Sequence, residues 1–372
     1  MAKADVLQNN MVTMNEAMHQ IRGAIQARNT IMLWGSPGIG KTEMIRLLML
    51  EMGYDNFIPV NLASKDAVDI HGIPQINDGV VEWTRPNFIP DNDETRKTCL
   101  FFDEINTASK AVLPTVYSII HERKLETWDF SKKDVAIICA GNNPDDGAIT
   151  NDLGSALMTR IKHIHVKVDA QEFLDWAMEN PKRIHPDVCM YLNWKTSSIH
   201  KKPQLSETTY PNPRTWEKLS REMFTEAFSL YNLSQRLACI VGYVGELGTE
   251  MQAFLELKET LPDRKEILKN PSKAPIPKVE GKLKGGMDKE EKQYGSLYAT
   301  IGLLISMLQE DGVSFKKLLP YIRRIDKQFL PTFIKLARPI CERDEEYMEF
   351  IREHNKMINP TAVSSKELLK KT

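Results

Sequence analysis

Cysteine is scarce and scattered in this chain. Its five copies, Cys99, Cys139, Cys189, Cys239 and Cys341, are far apart in 372 residues. No C-x-x-C pair or Cys/His cluster occurs, which argues against a zinc site. The odd count argues against a disulfide framework and for a reducing compartment. An excess of either charge is also missing: 49 Lys and Arg face 50 Asp and Glu, for a formal net charge of −1. No overall basic field therefore marks the chain for nucleic acid. Nothing approaches the run of about 18 apolar residues that a membrane-spanning helix needs. The N-terminus shows no basic-then-apolar leader, so the expectation is a cytoplasmic protein with no membrane association. No internal repeat is present. The remaining composition, 42% hydrophobic and 27% charged, is that of an ordinary globular protein.

What the sequence does contain is one stretch around which the rest is organised. Gly35-Ser36-Pro37-Gly38-Ile39-Gly40-Lys41-Thr42 reads G-x-x-x-x-G-K-T. The apolar run Thr30 to Trp34 before it suits a buried strand, and Glu43 to Leu50 after it are good helix formers. Strand, glycine loop, helix is the setting in which this pattern binds phosphate rather than forming a chance glycine turn. Glycines let the backbone approach an anion, and loop N–H groups and the helix N-terminus offer partial positive charge. Lys41 adds a full charge at the β- and γ-phosphates of ATP, and Thr42 offers a hydroxyl to Mg²⁺.

Taken in order, residues 1–12 read as a loose arm. Thr13 and Glu16 have capping-box spacing, and Met14, Met18, Ile21 and Ile25 then fall on one helical face. Asn56–Leu62 reads as a strand, Asp66–His71 as a short helix, and 73–83, with Asn77-Asp78-Gly79 at its centre, as a hairpin. Thr98–Phe102 is a compact apolar strand, Ser109–Glu122 a helix, 125–133 a second small hairpin, Asp134–Ala140 a buried strand, and His163–Val168 another. Apolar strands alternating with helices imply an α/β fold with a parallel sheet covered on both faces. From Asp169 the pattern becomes helical, with helices expected near 170–180, 186–194, 213–230 and 234–260 and a loop at 195–212. The division expected is a nucleotide-binding core at 1–168, a helical lid at 169–260, a Pro-, Gly- and Lys-rich linker or insertion at 261–292, and a mostly helical region at 293–372 ending in a polar tail.

Three further places carry chemistry. The strand Leu100-Phe101-Phe102 delivers Asp103 and Glu104 to its C-terminal edge, where open α/β sheets bind ligands. Asp103 suits the Mg²⁺ that Thr42 also touches, and Glu104 suits polarisation of a water. An acidic loop after a strand is the bland alternative, which the glycine loop upstream disfavours. The next strand ends in Asn142-Asn143-Pro144, where a neutral amide beside the γ-phosphate could orient water. Asn and Pro are also ordinary turn formers. Arg160 and Arg214 each follow or open a short helical segment. Arginine suits phosphate through its permanent charge and forked donors, although a lone arginine is usually a surface residue.

The order of these parts resembles the AAA+ ATPases, and within them the MoxR-like family, over about residues 12–230. Leu100 to Asn106 is similar to that family's extended Walker B with its D-E-I-N, and Asn142-Asn143-Pro144 to its sensor 1, which places the sensor on Asn143. Leu153 to Ile161 resembles the arginine-finger segment, placing the finger on Arg160, and Pro213-Arg214 resembles the start of the sensor 2 helix. Asp69-Ile70-His71-Gly72 resembles the D-x-x-G before the helix-2 insert, which the hairpin at 73–83 would then be, with 125–133 as the pre-sensor 1 hairpin. The chain departs from the family at Thr107, where Arg is usual, and at Met158-Thr159, where an acidic residue commonly precedes the finger.

The resemblance implies a Mg²⁺-dependent ATPase working as a homo-oligomeric ring, most simply a hexamer. Each site would take Lys41, Thr42, Asp103, Glu104, Asn143 and Arg214 from one subunit and Arg160 from the next. It further implies a chaperone-like or activating role on a protein substrate, often with a partner bearing a von Willebrand A-type domain. The rival is a nucleic-acid motor or loader, for which Lys132, Lys133 and Lys162 could supply local basic charge near a pore. The neutral balance and the lack of a nucleic-acid module speak against it. A structural ring that only switches with nucleotide is a third reading. A simple P-loop kinase is disfavoured because it leaves Arg160 and Arg214 without a role.

Overall fold

The computed structural model describes residues 10–91, 94–143, 151, 153–203, 207–257, 261, 263–277, 289–309 and 312–358. Pro144, the arm 1–9, the stretch 278–288 and the tail from 359 lie outside the described residues. The chain divides into two compact units. The first holds the described residues up to Glu172 with a short stretch from Lys202, and the second holds Phe173–Lys201 and the described residues from Glu207 onward.

The first unit is built on a parallel sheet of five strands: β1 (Ile31–Trp34), β2 (Asn56–Asn61), β5 (Thr98–Asp103), β8 (Val135–Gly141) and β9 (Lys162–His165), in the order β2-β5-β8-β1-β9. Trp34 lies opposite Gly141 on one side and His165 on the other, and Asn61 lies opposite Asp103. The expected α/β sheet with helices on both faces is what forms. Alternation of side chains explains why the strands read as unbroken apolar runs. Ile31, Leu33, Phe101, Ile138 and Ala140 pack with Ala17, Ile21, Ile45 and Leu48 of helices α1 (Met14–Gln26) and α2 (Lys41–Glu51). Met32, Trp34, Leu100, Phe102, Ile137 and Cys139 face the other way, onto Val116, Ile119 and Ile120 of α4 (Leu113–Glu122). Each strand thus feeds two cores.

Several local expectations shift for identifiable reasons. α4 starts at Leu113 rather than Ser109, because Pro114 occupies its first turn. Val12 is not part of a loose arm: it bridges to Val166 in parallel, extending the edge beyond β9. Asp66 caps the short helix α3 (Ala67–His71). Two small hairpins follow as expected, β3 (Pro74–Asn77) with β4 (Val80–Trp83), and β6 (Lys124–Leu125) with β7 (Trp128–Asp129). Every residue of β3 is exposed, so that hairpin contributes nothing to the core. α5 (Gly154–Met158) completes the unit, and α6 (Ala170–Glu179) leads onward.

The second unit is helical, with α7 (Pro186–Trp194), α8 (Pro213–Met223), α9 (Glu226–Leu230), α10 (Leu233–Val244), α11 (Leu247–Leu257), α12 (Arg264–Lys269), α13 (Lys289–Leu308), α14 (Phe315–Ile322), α15 (Leu330–Cys341) and α16 (Glu345–Ile358). The helix expected over 213–230 is broken by Thr225, whose hydroxyl accepts from the Phe228 N–H and starts α9. The one expected over 234–260 is broken at Gly245, whose φ of 61° lies in the left-handed region. Part of the stretch expected to be a linker is helical: Asp263 caps α12. Tyr191, Trp194, Trp216 and Phe254 form an aromatic cluster among α7, α8 and α11, and Trp194 also meets α13 at Gly295, where a Cβ would lie 3.3 Å from its ring.

Candidate functional site

The site collects at the C-terminal ends of β1, β8 and β5, three neighbouring strands. The glycine loop leaves β1, and Gly40, at φ 99°, caps α2 in a conformation that a side chain would strain. Lys41 is only 8% exposed. Its ammonium donates to the carbonyls of Gly35 at 2.6 Å and Ser36 at 3.1 Å and to Asn142 Oδ1 at 3.3 Å. The Thr42 hydroxyl donates to Asp103 Oδ2 at 3.0 Å, and the other carboxylate oxygen accepts the Glu104 N–H at 2.9 Å. Thr42 and Asp103, expected to share one Mg²⁺, are thus in contact.

Glu104 ends its strand in the left-handed region, φ 54° and ψ 36°. A non-glycine residue held there costs on the order of 1–2 kcal/mol, and such positions cluster at functional sites. Thr107, the departure from the resembled family, helps to impose the turn: its hydroxyl and its N–H both bond the Glu104 carbonyl, at 2.8 and 2.9 Å.

Asn106 is a participant whose role the residue pattern did not disclose. It is 1% exposed. Its Nδ2 donates to the Asn142 carbonyl at 2.8 Å and its Oδ1 accepts the Asn142 N–H at 3.2 Å. It therefore clasps the backbone of the segment that follows β8. Gly141 makes this approach feasible, since a Cβ there would lie 2.7 Å from Asn106 Oδ1 and 2.6 Å from Met32 Cε. Asn151 extends the clasp, donating to the carbonyls of Asn106 at 2.6 Å and Ala108 at 2.8 Å. The only sequence signal was the place of Asn106 in D-E-I-N. The resemblance places the sensor on Asn143, which is half-buried; the amide that meets Lys41 is that of Asn142.

Two candidate arginines remain, one in each unit. Arg160 is exposed on the turn after α5. The end of that helix is tied to the sheet: the Trp34 indole N–H donates to His163 Nδ1 at 3.0 Å, and His163 Nε2 bonds the Met158 carbonyl at 2.7 Å. Trp34 also stacks on His165, whose pKa is lowered by burial and then by His163. Arg214 is exposed in the first turn of α8, in the second unit, behind a capping box of Asn212 and Thr215.

The donor set fits the groups expected. The oxygens that now accept from Lys41 stand where phosphate oxygens would serve equally. One carboxylate and one hydroxyl suit Mg²⁺, which takes few protein ligands and completes its shell with phosphate and water. Consistently, among the described residues no group of three or more His, Cys, Asp or Glu could hold a metal unaided. No helix among them is long and apolar enough to cross a membrane.

Comparison with known proteins gives the same frame. Residues 30–161 match the AAA domain of the dynein-related subfamily. Among solved structures the chain is similar to a candidate ATPase of Cytophaga hutchinsonii, at 20% identity over 48% of this chain and 53% of that one, with a TM-score of 0.35. The match thus spans about half the length of that protein. It is also similar to Thermotoga maritima RuvB, in its A156S mutant, at 14% identity, 70% and 78% coverage and a TM-score of 0.38. A third is Brucella abortus NtrX in complex with ADP, at 16% identity, 68% coverage of each chain and a TM-score of 0.37. No curated protein matches the sequence. With the parallel sheet, the glycine loop and the Asp103-Glu104 edge in place, residues 30–161 form an AAA domain, the nucleotide-binding core of AAA+ ATPases.

Proposed function

We propose that this chain is a Mg²⁺-dependent ATPase of the MoxR-like type, working as a homo-oligomeric ring, a hexamer, to remodel or activate a partner protein. The observation that supports it most is the joint placement of Lys41 with Asn142 and of Thr42 with Asp103 on three adjacent strand ends. That is an arrangement for a triphosphate.

In this reading the loop N–H groups and Lys41 bind the β- and γ-phosphates. Mg²⁺, held by Thr42 and Asp103, would supply neutralising charge on the phosphate oxygens. Glu104, aimed by its left-handed turn, accepts a proton from the attacking water. Asn142 and Asn143, fixed through Asn106, order the γ-phosphate side. Arg160 reaches the nucleotide of the next subunit, and Arg214 contributes from the second unit. The remodelled partner would be a protein, and the resemblance favours one with a von Willebrand A-type domain. Nucleic acid is not expected to be the substrate.

A mixing experiment tests the ring and the finger together. Arg160→Ala should bind ATP but lose hydrolysis, since such an arginine is worth about 10³–10⁵ in rate. Glu104→Gln should do the same. Rings containing both variants regain interfaces that pair an intact Glu104 with an intact Arg160, so activity should partly return. Co-assembled mixtures as inactive as either parent would refute action in trans.

A further inference from the structure

The edge of the first unit's sheet opposite the glycine loop gathers an excess of positive charge. All five strands run parallel, so their N-terminal ends lie together, a strand length away from the nucleotide site. A cavity of about 540 Å³ opens there, within the range of small-molecule pockets. Arg28, Lys97, Lys132 and Lys133 line it against a single carboxylate, Asp134. The chain as a whole is balanced at −1, so this is a local concentration of cations.

The cations are set in place by a scaffold. Asp134 accepts the Tyr54 hydroxyl on Oδ1 at 2.6 Å and faces Lys97 Nζ from Oδ2 at 3.4 Å. Its charge is therefore spent on holding Lys97, which lies 5.6 Å above the Tyr54 ring. Burial, and then Asp134, push the Tyr54 pKa up, so the phenol keeps its proton and remains the donor. Arg28 donates to the carbonyls of Ser131 at 3.0 Å and Lys133 at 2.6 Å, fixing the loop that carries Lys132. Arg28 does this from a left-handed backbone, φ 58°, and Arg123, at φ 55°, supports it by donating to the Arg28 carbonyl at 2.9 Å. Lys133 reaches the carbonyls of Asp91 and Glu94, at 2.5 and 3.1 Å. Main-chain carbonyls orient Arg28 and Lys133 without cancelling their charge, whereas Lys97 is paired with Asp134. Four cations against one carboxylate leave three net positive charges around the cavity, and an anionic occupant would relieve their repulsion.

We infer that this cavity is a second ligand site, for a small anion bearing two or more phosphate groups. A nucleic-acid backbone would need an open track of cations, whereas these converge on one concavity. Lys97 and Lys132, both exposed at its mouth, are the contact residues. Arg28 and Asp134 are positioning residues.

Inorganic tripolyphosphate is the probe, titrated calorimetrically at low ionic strength into the full-length Lys41→Ala protein to remove its binding at the glycine loop. One equivalent should still bind. Adding Lys97→Gln and Lys132→Gln should weaken it by roughly tenfold or more for each charge-assisted hydrogen bond lost. Both side chains are exposed, so thermal unfolding should be unchanged, and nucleotide hydrolysis without added anion by the Lys97→Gln/Lys132→Gln protein should match wild type. No binding to Lys41→Ala, or binding indifferent to the two further replacements, overturns the site. So does a single-stranded oligonucleotide that binds through Lys97 and Lys132 where tripolyphosphate does not. None of the binding outcomes depends on whether the glycine loop hydrolyses ATP.

Discussion

Asn106→Ala is the most informative single change in the first unit. The side chain is buried and makes two hydrogen bonds to one residue's backbone, at 2.8 and 3.2 Å. Truncation leaves the Asn142 N–H and carbonyl without those partners. A buried polar group stripped of its partner costs about 1–3 kcal/mol. Asn142 is half-buried, so water can partly compensate, and the loss should be about 2–4 kcal/mol in all. For a domain of this size that corresponds to a fall in Tm of roughly 4–16 °C. Hydrolysis should drop further than nucleotide affinity, because Lys41 keeps its bonds to Gly35 and Ser36 while the Asn142-Asn143 segment loses its register. Asn106→Asp separates packing from hydrogen bonding. It preserves shape and can accept from the Asn142 N–H, but it sets a buried carboxylate oxygen against the Asn142 carbonyl, so near neutral pH it should be at least as destabilising as alanine. Calorimetric unfolding with steady-state hydrolysis reads both quantities. Gly141→Ala adds a control: it should be markedly destabilising in wild type and much less so beside Asn106→Ala, where only the flexible end of Met32 remains in the way. If Asn106→Ala shifts stability by less than about 0.5 kcal/mol, as a surface change would, the clasp is not what holds the site.

Other expectations are briefer. Lys41→Ala should abolish ATP binding in calorimetry, and tight binding by it would contradict the loop. Glu104→Gly should raise Tm by relieving the left-handed backbone, while eliminating hydrolysis; a fall in Tm would show that the turn is unstrained. His165, with its pKa lowered by burial and His163, binds its proton less readily folded than unfolded. It therefore contributes stability that is present above the unfolded value of about 6.5 and is lost as pH falls through the folded one. Unfolding midpoints measured from pH 8 downward should decline below about 6.5, less steeply in His165→Gln; parallel curves would refute the assignment.

Much of this was legible in the residue order, and the exceptions have physical causes. Sheet strands were found because both faces are buried, leaving runs such as Leu100-Phe101-Phe102 with no polar interruption. The glycine loop and Asp103 stand out in the sequence because phosphate and metal chemistry restricts residue types and spacing tightly. Helix breaks at Thr225 and Gly245 were missed because apolar periodicity continues across a cap. The clasp by Asn106 was missed because its partner is backbone, and a backbone partner leaves no trace in residue identity. The contact of Lys41 with Asn142, beside the Asn143 that the resemblance singles out, is likewise invisible in residue order, because it joins positions 101 residues apart.

The end of β1 bears on how two sites of the proposed ring would communicate. Trp34 is the last residue of β1, immediately before Gly35. Its indole holds His163, and His163 holds the last carbonyl of α5, two residues before Arg160. With Nδ1 accepting from the indole, His163 is in the tautomer whose Nε2–H donates to Met158, so each bond fixes the direction of the other. Any shift of the glycine loop on binding phosphate would be felt first at the end of β1, to which it is joined at Trp34–Gly35. The same strand end anchors the turn that presents Arg160. One subunit's own nucleotide state and the arginine proposed for its neighbour's site are thus mechanically adjacent, joined by two hydrogen bonds rather than by a long path through the core.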